Sequence, residues 1–475
     1  MAQQPEVYQN IRIPPIGNLN NRLASAAKDQ IFYNLIPESI VNKHTGGTYI
    51  SLIKRGAFVA DTTVIAGGGA GRGIYYWDKT GKTYSVIANR VYADTTDKYT
   101  LTTSTGTCWF CEDTGPSNTL ILSDGTDLFS ISTADVVTDI VDGDLPAGPI
   151  TPVAMNGYIF VAKATTDDIH NSDLAAPTAW TSTSFLSSEM YSDTLVGLNR
   201  VGPYVIAFGK LSTEFFYDNA NPTGSPLKRQ DSVALRIGLT ARDSMALSGK
   251  TIFFVGNAQT GESSVFKLEG LTPSKISTEY VDRILINEGS SLSSAMAWIC
   301  HHKGHTLYVL NLSSASRTLV YDLDEDLWLD WSSNSASAHV VLPYNYATQG
   351  ANGTILVLHN TDGKIYKLDS AVNQDTAGAI LVKIVTSKID LNNDKKKRLH
   401  RFMLITDDES SGSVTLDWTD DDYGTFSSTR TLDITTRPYA NNMGYFRRRA
   451  FRLLHSTNAP LRIDAIELNY SEGEH

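Results

Sequence analysis

The sequence has few cysteines, few charges and no long apolar run, and each shortage excludes a class of protein. Its 475 residues include three cysteines, an odd and small number that gives no disulfide framework. No stretch approaches the roughly 18 apolar residues of a membrane-spanning helix, so no membrane span is expected. Residues 1–5 contain no basic and then apolar signal segment. We therefore expect synthesis and folding in a reducing cytoplasm.

Charge is scarce and unevenly distributed. Charged residues make up 19% of the chain, whereas glycine, serine, threonine and tyrosine are abundant, which is typical of turn-rich β structure. The formal net charge of −11 belongs to residues 1–380, where 26 Lys and Arg face 37 Asp and Glu; residues 381–475 hold 14 of each sign. A protein that grips nucleic acid normally shows the reverse, since neutralisation of phosphates supplies most of the affinity.

Glycines recur along the chain at intervals of 45 to 55 residues, and each opens a strand-like apolar run. They are Gly56, Gly106, Gly157, Gly202, Gly249, Gly304 and Gly353. A repeat of roughly 40–50 residues supplies the four antiparallel strands of one β-propeller blade. Connecting segments such as 78–81 and 361–363 carry hairpin residues, in which glycine allows a positive φ. The sequence therefore predicts a β-propeller.

The predicted architecture is all-β, with a propeller and a second domain. We predict six blades, because the last repeat is short and the first is diffuse; a strand exchanged between the two ends is one way to close the ring. The repeats end near Ser370, and roughly eight short strands in the last 95 or so residues predict a β-sandwich. We expect an N-terminal segment at 1–45 that packs on the platform, a propeller at 46–378, and a C-terminal β-sandwich platform at 379–475.

Short motifs in three parts of the chain carry a family resemblance. They are DQIFYNLIPE at 29–38 and KRG at 54–56; STEFFY at 212–217, IGLTA at 237–241, VFKLEG at 265–270 and IST at 276–278; and WTDDDYGTF at 418–426 with RRRAFR at 447–452. In this order they resemble the tail hub, or nozzle, proteins of short-tailed bacteriophages. The packaged-DNA stabilisation proteins of the tail accessory factor family are the most similar group.

The resemblance implies a structural virion protein of the phage tail, with no enzymatic activity and no cofactor. It implies a homo-oligomeric ring of six copies that extends the DNA channel below the portal and adaptor proteins and helps to retain packaged DNA. The ring would provide attachment for a tail needle or plug and for tailspikes or fibres. Genomic DNA would pass through it without specific binding, which agrees with an acidic propeller. Assembly would take place in the host cytoplasm.

Two basic runs in the C-terminal part form the candidate assembly interface. The residues are Lys395, Lys396, Lys397, Arg398, Arg401, Arg447, Arg448, Arg449 and Arg452. Guanidinium groups form bidentate pairs with carboxylates, so acidic surfaces of neighbouring copies or of an adaptor are suitable partners. Solvated strand ends and direct contact with phosphates are the alternatives.

Two groups of residues suggest chemistry. Cys108 and Cys111, with Cys300 and His305, have the residue types of a metal site, but in a strand Cys108 and Cys111 point to opposite faces, so no metal is assigned. A second group could serve a propeller-type glycosidase or carbohydrate-binding protein, the alternative function. It contains Asp322, Asp324, Glu325, Asp326, Asp330, Trp328 and Trp331. This run has the pattern of a strand end and its turn, so no catalytic residue is assigned.

Overall fold

The structure, a computed structural model, describes residues 8–13, 30–41, 48–63, 68–191, 193–258, 261–333 and 339–472. Within these ranges 42 strands alternate with tight turns, and Glu279–Glu288 forms the α-helix α1. The chain begins with β1 (Gln9–Ile13), β2 (Ile31–Tyr33), β3 (Leu35–Val41) and β4 (Thr48–Lys54), which lie outside the propeller.

After β5 (Ala57–Thr63), antiparallel sheets follow one another as propeller blades. Blade 1 contains β6 (Gly71–Trp77), β7 (Lys82–Ile87), β8 (Arg90–Ala93) and β9 (Thr96–Thr100). Blade 2 contains β10 (Trp109–Glu112), β11 (Leu120–Ser123), β12 (Leu128–Ile131) and β13 (Val137–Asp139). Blade 3 contains β14 (Pro149–Met155), β15 (Tyr158–Lys163), β16 (Asp168–Asp173) and β17 (Ala176–Ser187). Blade 4 contains β18 (Leu195–Val201), β19 (Tyr204–Gly209), β20 (Thr213–Asp218) and β21 (Leu227–Leu235).

The remaining blades include one with a divided inner strand. Blade 5 contains β22 (Ile237–Leu239) and β23 (Ala246–Ser248), which both pair with β24 (Thr251–Ala258), followed by β25 (Ser263–Glu269) and β26 (Thr272–Lys275). Blade 6 contains β27 (Met296–His302), β28 (His305–Leu312), β29 (Arg317–Asp322) and β30 (Leu327–Trp331). Blade 7 contains β31 (Tyr344–Gln349), β32 (Ile355–His359) and β33 (Lys364–Asp369). Helix α1 lies between blades 5 and 6 in the chain.

A strand from the start of the chain closes the propeller. β5 pairs antiparallel with β33 and becomes the outer strand of blade 7, while β31 lies beside β6. The predicted β-propeller with a platform is confirmed, and so is the exchanged strand. The predicted number of blades is wrong, because the described residues form seven. The sequence placed one repeat between Gly56 and Gly106, but this segment contains both the last strand of blade 7 and the whole of blade 1.

The C-terminal strands form two facing sheets. After the hairpin β34 (Gln374–Asp375) and β35 (Gly378–Ala379) come β36 (Val382–Val385), β37 (Lys397–Thr406), β38 (Ser413–Thr419), β39 (Arg430–Asp433), β40 (Tyr439–Phe446), β41 (Ala450–His455) and β42 (Arg462–Glu472). One sheet has the order β3-β4-β42-β37-β40, with β1 also on β42. The other has the order β2-β36-β41-β38-β39 and continues blade 6, since β2 pairs in parallel with β30. The rings of Phe402 and Phe451 meet between the sheets, with centroids 4.9 Å apart.

The N-terminal strands therefore belong to the platform sheets. β4 pairs with β3 and β42, so the first propeller strand begins at Ala57 and not at residue 46. The largest hydrophobic cluster contains side chains of the platform and of blades 5, 6 and 7, which makes the core continuous across the two domains. This continuity holds the platform rigidly on one side of the propeller.

Arg55 lies at the junction between platform and propeller and is fully buried. Its guanidinium makes a bidentate pair with Asp375, at 3.0 and 2.7 Å. Its Nε donates to the Asn34 side chain at 2.9 Å, and its other donors reach the carbonyls of Gly56 and Ser332. One side chain thus connects the platform strands, the hairpin after blade 7 and the end of blade 6. A buried charge of this kind is tolerated only when all its donors are paired.

His302 supports the same junction and gives it a pH dependence. It is 4% exposed, and its Nε2 accepts a hydrogen bond of 2.9 Å from the Gly56 amide, which requires a neutral ring. Burial, followed by Lys303, Arg55 and His305, lowers the pKa of His302 to about 3. The unfolded chain takes up this proton near pH 6.5, so this contribution to stability is complete above that pH and is lost progressively as the pH falls towards 3.

We expect His302→Gln to make the free energy of unfolding depend less strongly on pH below about 6.5. The glutamine amide can accept the same hydrogen bond but does not titrate, so the difference in free energy of unfolding between parent and variant should change between pH 6.5 and 4. Urea denaturation at a series of pH values measures this difference. Comparison with the variant isolates His302 from other histidines with lowered pKa values, such as His170 and His339. A pH-independent difference would contradict the assignment.

Candidate functional site

The propeller axis contains the main cavity, of about 940 Å³. The innermost strands of all the described blades line it, and its walls combine aromatic side chains such as Trp109 and Trp298 with polar ones such as Arg200 and His301. Propeller axes are frequent binding sites because strands from several blades converge there. The axial cavity is therefore the first candidate for a ligand-binding site or for a passage through the protein.

Hydrogen bonds between opposing blades cross the axis. Asp243, from the turn between β22 and β23 of blade 5, accepts bonds from Thr107 Oγ1 at 2.9 Å and from Trp109 Nε1 at 3.1 Å, both of blade 2. Thr107 also lies 3.1 Å from the hydroxyl of Tyr346 in blade 7. Arg242 places its guanidinium 5.5 Å from the Trp109 ring. These five residues form the axial plug.

The axial plug is a structural network, and its charges are satisfied internally. Burial raises the pKa of Asp243, while the bonds from Thr107 and Trp109 and the charge of Arg242 oppose that shift. No local sequence pattern predicts this site, since Thr107 and Asp243 are 136 residues apart and belong to no motif. Because side chains of blades 2, 5 and 7 bond directly to one another across the axis, the propeller axis is not a passage for a nucleic acid duplex.

The predicted interface residues fall into three groups: exposed, buried and intermediate. Lys395, Lys396, Arg398, Arg447 and Arg448 are exposed around the start of β37 and the turn between β40 and β41. They are called the basic face below. Two tyrosines accompany it on β40: Tyr445 is 55% exposed and lies 4.9 Å below the Lys396 ammonium, and Tyr439 is 49% exposed and lies 4.4 Å from the Arg401 guanidinium. β40 is an edge strand of its sheet.

Arg447 and Arg448 of the basic face contact only Asp394 among the described residues, and Arg447 also donates to the Asp394 carbonyl. Arg447 and Arg448 are 54% and 61% exposed, and their nearest carboxylate, that of the exposed Asp394, lies 4.0 and 3.8 Å away. Lys395 pairs with Glu472 at 3.0 Å and is 52% exposed. Exposed pairs of this kind contribute little to stability, so these charges are available to a partner surface.

Lys397 and Arg449 do not belong to an assembly surface, which corrects the prediction for these two residues. Lys397 is fully buried, and its ammonium donates to the carbonyls of Asn393 at 2.7 Å and Lys395 at 2.9 Å. Arg449 is 2% exposed and makes a bidentate pair with Asp420 at 2.8 and 2.7 Å. Successive residues of an extended chain point to opposite faces, so Lys397 and Arg449 face the interior of the platform while Lys396 and Arg448 face solvent.

Arg401 and Arg452 are intermediate cases. Arg452 is 28% exposed and pairs with Asp417 on the neighbouring strand β38, with one contact of 2.8 Å. Its guanidinium also lies 3.8 Å from the centre of the Phe426 ring. Arg401 is half-buried against Tyr439. Both side chains mainly connect strands of the platform, with one side left open to solvent.

The cysteines are separate buried side chains. Cys108 and Cys111 lie on opposite faces of blade 2, in different hydrophobic clusters, and Cys300 lies in the large core cluster of blade 6. Burial raises the pKa of Cys108 and of Cys111 to about 12, and raises that of Cys300 still further. Among the residues described, no group of three possible metal ligands includes a cysteine.

The acidic and aromatic run of blade 6 does not form an open sugar site. Trp328 and Trp331 are 2% and 0% exposed, so neither ring can stack on a sugar. Asp330 is buried and pairs with Arg317 at 2.6 Å, and Asp326 accepts a bond from the Tyr321 hydroxyl. The carboxylates of Asp326 and Asp330 are thus occupied by partners within the blade.

Comparison with known proteins gives one informative match. The family model described as Bacteriophage P22 Gp10, beta-propeller matches residues 42–373. Comparison with curated protein sequences gives no match. Among solved structures, the N-terminal domain of Nup159 is 8% identical, with a TM-score of 0.41, and the match covers 71% of this chain and 98% of that one. Virginiamycin B lyase from Staphylococcus aureus is 11% identical, with a TM-score of 0.40 and coverage of 63% and 94%.

The structural similarities are too distant to carry an argument about function, whereas the family match spans most of the chain. The matched residues begin at 42, shortly before the platform strand β4, and run through every blade to the end of the propeller. Within the described residues no helix is long and apolar enough to cross a membrane. The resemblance seen in the sequence is confirmed: the chain belongs to the family of bacteriophage P22 Gp10, the phage tail nozzle and DNA-stabilisation proteins.

Proposed function

We propose that this protein is a structural subunit of a phage tail in the virion, where six copies form a ring below the portal and adaptor. The ring extends the DNA channel, helps to retain packaged DNA, and offers attachment to a tail needle or plug and to tailspikes or fibres. Membership of the P22 Gp10 family supports this role. The protein acts through shape and assembly and performs no catalytic step, which agrees with the burial of Trp328 and Trp331.

The closed propeller axis is the observation that best supports a ring. A protein that handles DNA at the tail must leave a passage for the duplex, and the bonds of the axial plug between Asp243, Thr107, Trp109 and Tyr346 block the passage through a single propeller. The DNA channel therefore lies between copies of the chain. This arrangement makes oligomerisation a requirement of the function.

The charge of the propeller suits a channel that DNA must cross without sticking. All of the net charge of −11 belongs to residues 1–380, which include every blade. Repulsion between phosphates and an acidic or neutral wall keeps the affinity for DNA low. A continuous band of lysine and arginine around the channel would contradict this role.

The basic face is the proposed contact with a neighbouring copy or with the ring above. Arg447 and Arg448 share one exposed carboxylate, that of Asp394 at 4.0 and 3.8 Å, and Tyr439 and Tyr445 add aromatic area beside them. Arginine and tyrosine are enriched in interfaces, where a desolvated arginine pairs with carboxylates of the partner. Truncating one member of such a pair costs about 2–5 kcal/mol.

We expect Arg447→Ala combined with Arg448→Ala to give soluble protein with the parent's melting temperature that fails to join DNA-filled heads. Heads lacking the nozzle should then lose DNA, which nuclease sensitivity measures, and electron microscopy should show no tail ring. The matched control, Arg90→Ala with Arg236→Ala, removes a propeller arginine that is 43% exposed and a second one that is also on the surface. If the platform variant assembles and retains DNA as well as this control does, the basic face is a solvated surface.

A further inference from the structure

Blade 6 carries a cluster of possible metal ligands outside the sites described above. Among the described residues, His305, Asp322 and Asp324 form the group of three in which ligand atoms all lie within 4.8 Å of one another. His305 begins β28, Asp322 ends the neighbouring strand β29, and Asp324 lies in the turn that follows. The antiparallel pairing of β28 with β29 brings them together at one end of the blade.

Two buried polar atoms of this cluster form an ion-pair contact whose geometry is poor for a hydrogen bond. Nδ1 of His305 lies 2.8 Å from Oδ2 of Asp322, and the two side chains are 9% and 0% exposed. Both atoms are buried without a hydrogen bond of acceptable geometry. Neither atom has a better-aligned partner among the described residues, and each has lost its contact with water. A cation held by both atoms would satisfy them together.

The turn already orients both carboxylates. Oδ1 of Asp322 accepts bonds from the backbone amides of Asp324 at 3.0 Å and of Glu325 at 3.3 Å, which leaves Oδ2 directed to His305. Oδ2 of Asp324 accepts a bond of 2.6 Å from the Thr306 amide. Outer contacts of this kind fix the ligands of metal sites before the ion binds. Asp324 is exposed, so the cluster is open to ions from solvent.

We propose that His305, Asp322 and Asp324 bind a divalent transition metal ion of the Zn²⁺ type at the edge of blade 6. One imidazole nitrogen with two carboxylate oxygens is a ligand set that such ions accept, with water in the fourth position. Bond lengths of about 2.0–2.2 Å to a tetrahedral ion place two ligand atoms about 3.3 Å apart, so Nδ1 and Oδ2, which are 2.8 Å apart, must separate by about 0.5 Å when the ion binds. Calcium and magnesium prefer oxygen ligands alone.

The ion would strengthen the contact between blade 6 and the platform. Glu325 follows the cluster directly, and its carboxylate accepts a bond of 3.0 Å from the amide of Ser39 in the platform strand β3. An ion that holds the turn at Asp322 and Asp324 in place therefore also holds the Glu325 carboxylate that accepts the hydrogen bond from β3. The role is structural and independent of the DNA channel.

The alternative is an ion pair without metal. The carboxylate of Asp322 raises the pKa of His305, and a protonated imidazole beside Asp322 would need no other cation. The two cases differ in their response to added metal. The ion pair predicts no specific uptake of Zn²⁺ and no change in melting temperature with Zn²⁺ or EDTA.

The test uses the full-length protein, stripped of metal with EDTA and titrated with Zn²⁺ by calorimetry, with a thermal melt at each concentration. We expect one Zn²⁺ per chain and a rise in melting temperature. Asp324→Asn should weaken binding at least about tenfold while keeping the acceptor for the Thr306 amide, and so should fold normally. His305→Gln should abolish binding. The control Asp231→Asn, which removes a 73% exposed carboxylate on blade 4, should bind as the parent does.

Two results would overturn the proposal. The first is a parent protein that takes up no Zn²⁺ beyond the level of the His305→Gln variant. The second is an Asp324→Asn variant that binds Zn²⁺ and gains melting temperature as the parent does. Ca²⁺ is titrated in parallel, and binding of Ca²⁺ without Zn²⁺ would also exclude an imidazole ligand.

Discussion

Replacing Arg55 by alanine is expected to lower the free energy of unfolding by roughly 3–5 kcal/mol, because it leaves the buried Asp375 carboxylate without its partner. Asp375 is 7% exposed and receives both terminal nitrogens of the guanidinium. The change also removes the donors to Asn34 and Ser332, and the stacking of the guanidinium 5.0 Å from the Phe58 ring. Urea denaturation, followed by fluorescence and by circular dichroism, measures the loss.

Arg12→Ala is the matched control for this prediction. Arg12 also pairs with a carboxylate, that of Glu467 at 3.0 Å, but its side chain is 70% exposed. Exposed pairs contribute about 0–1 kcal/mol, so this variant should unfold nearly as the parent does. A loss for Arg55→Ala no larger than that for Arg12→Ala would show that Arg55 does not hold the platform and the propeller together.

Arg449→Ala is expected to destabilise the platform by about 2–3 kcal/mol, because it leaves buried acceptors unsatisfied. The guanidinium donates to the carbonyls of Met443 at 2.7 Å and Tyr445 at 3.2 Å in addition to Asp420. It also lies 4.8 Å from the centre of the Phe446 ring. The melting temperature should fall in the isolated protein, before any partner is present.

Arg448→Ala, one position earlier, provides the comparison within the same run. Its side chain is 61% exposed, and substitutions at such positions usually change stability by less than about 0.5 kcal/mol. The pair of variants therefore separates a folding defect from an assembly defect. Equal melting temperatures for Arg449→Ala and the parent would show that Arg449 does not stabilise the platform, and Arg449 would again be a candidate interface residue.

The propeller was predictable because its turns need glycine. Gly157, Gly202, Gly249, Gly304 and Gly353 all lie between the first and second strands of a blade, with φ between +57° and +87°. Because these turns favour glycine, glycine recurs along the sequence at a nearly regular spacing. Blade 1 departs from this spacing, and the segment after Gly56 is an outer strand, so the repeat could not be counted correctly by glycines alone.

The basic runs were harder to interpret, although a signal was present. Lys397 and Leu399 are two positions apart on β37, and both point into the platform core. The period of two along a strand would have placed Lys397 on the buried face once the strand was recognised. Composition alone treats four consecutive basic residues as equivalent, so a prediction from composition groups Lys397 with its exposed neighbours.

The axial plug and the Arg55 junction could not be predicted from local sequence. Thr107 meets Asp243 across 136 residues, and Arg55 meets Asp375 across 320. No spacing rule relates positions so far apart, since the contact depends on how all the blades between them close the ring. Arg55 lies within a motif that carried the family resemblance, but that resemblance did not state what the arginine contacts.

The exchange of strands between the two ends of the chain has a consequence for synthesis. β5 cannot complete blade 7 until β33 has left the ribosome, and β1 must wait for β42, because Gln9 pairs with Tyr470. Contacts between such distant segments carry a high entropic cost of closure and form slowly. A nascent or truncated chain therefore has neither a closed propeller nor a complete platform sheet. Only a chain that already contains β33 and β42 can adopt this fold, so the topology itself prevents shorter products from folding completely.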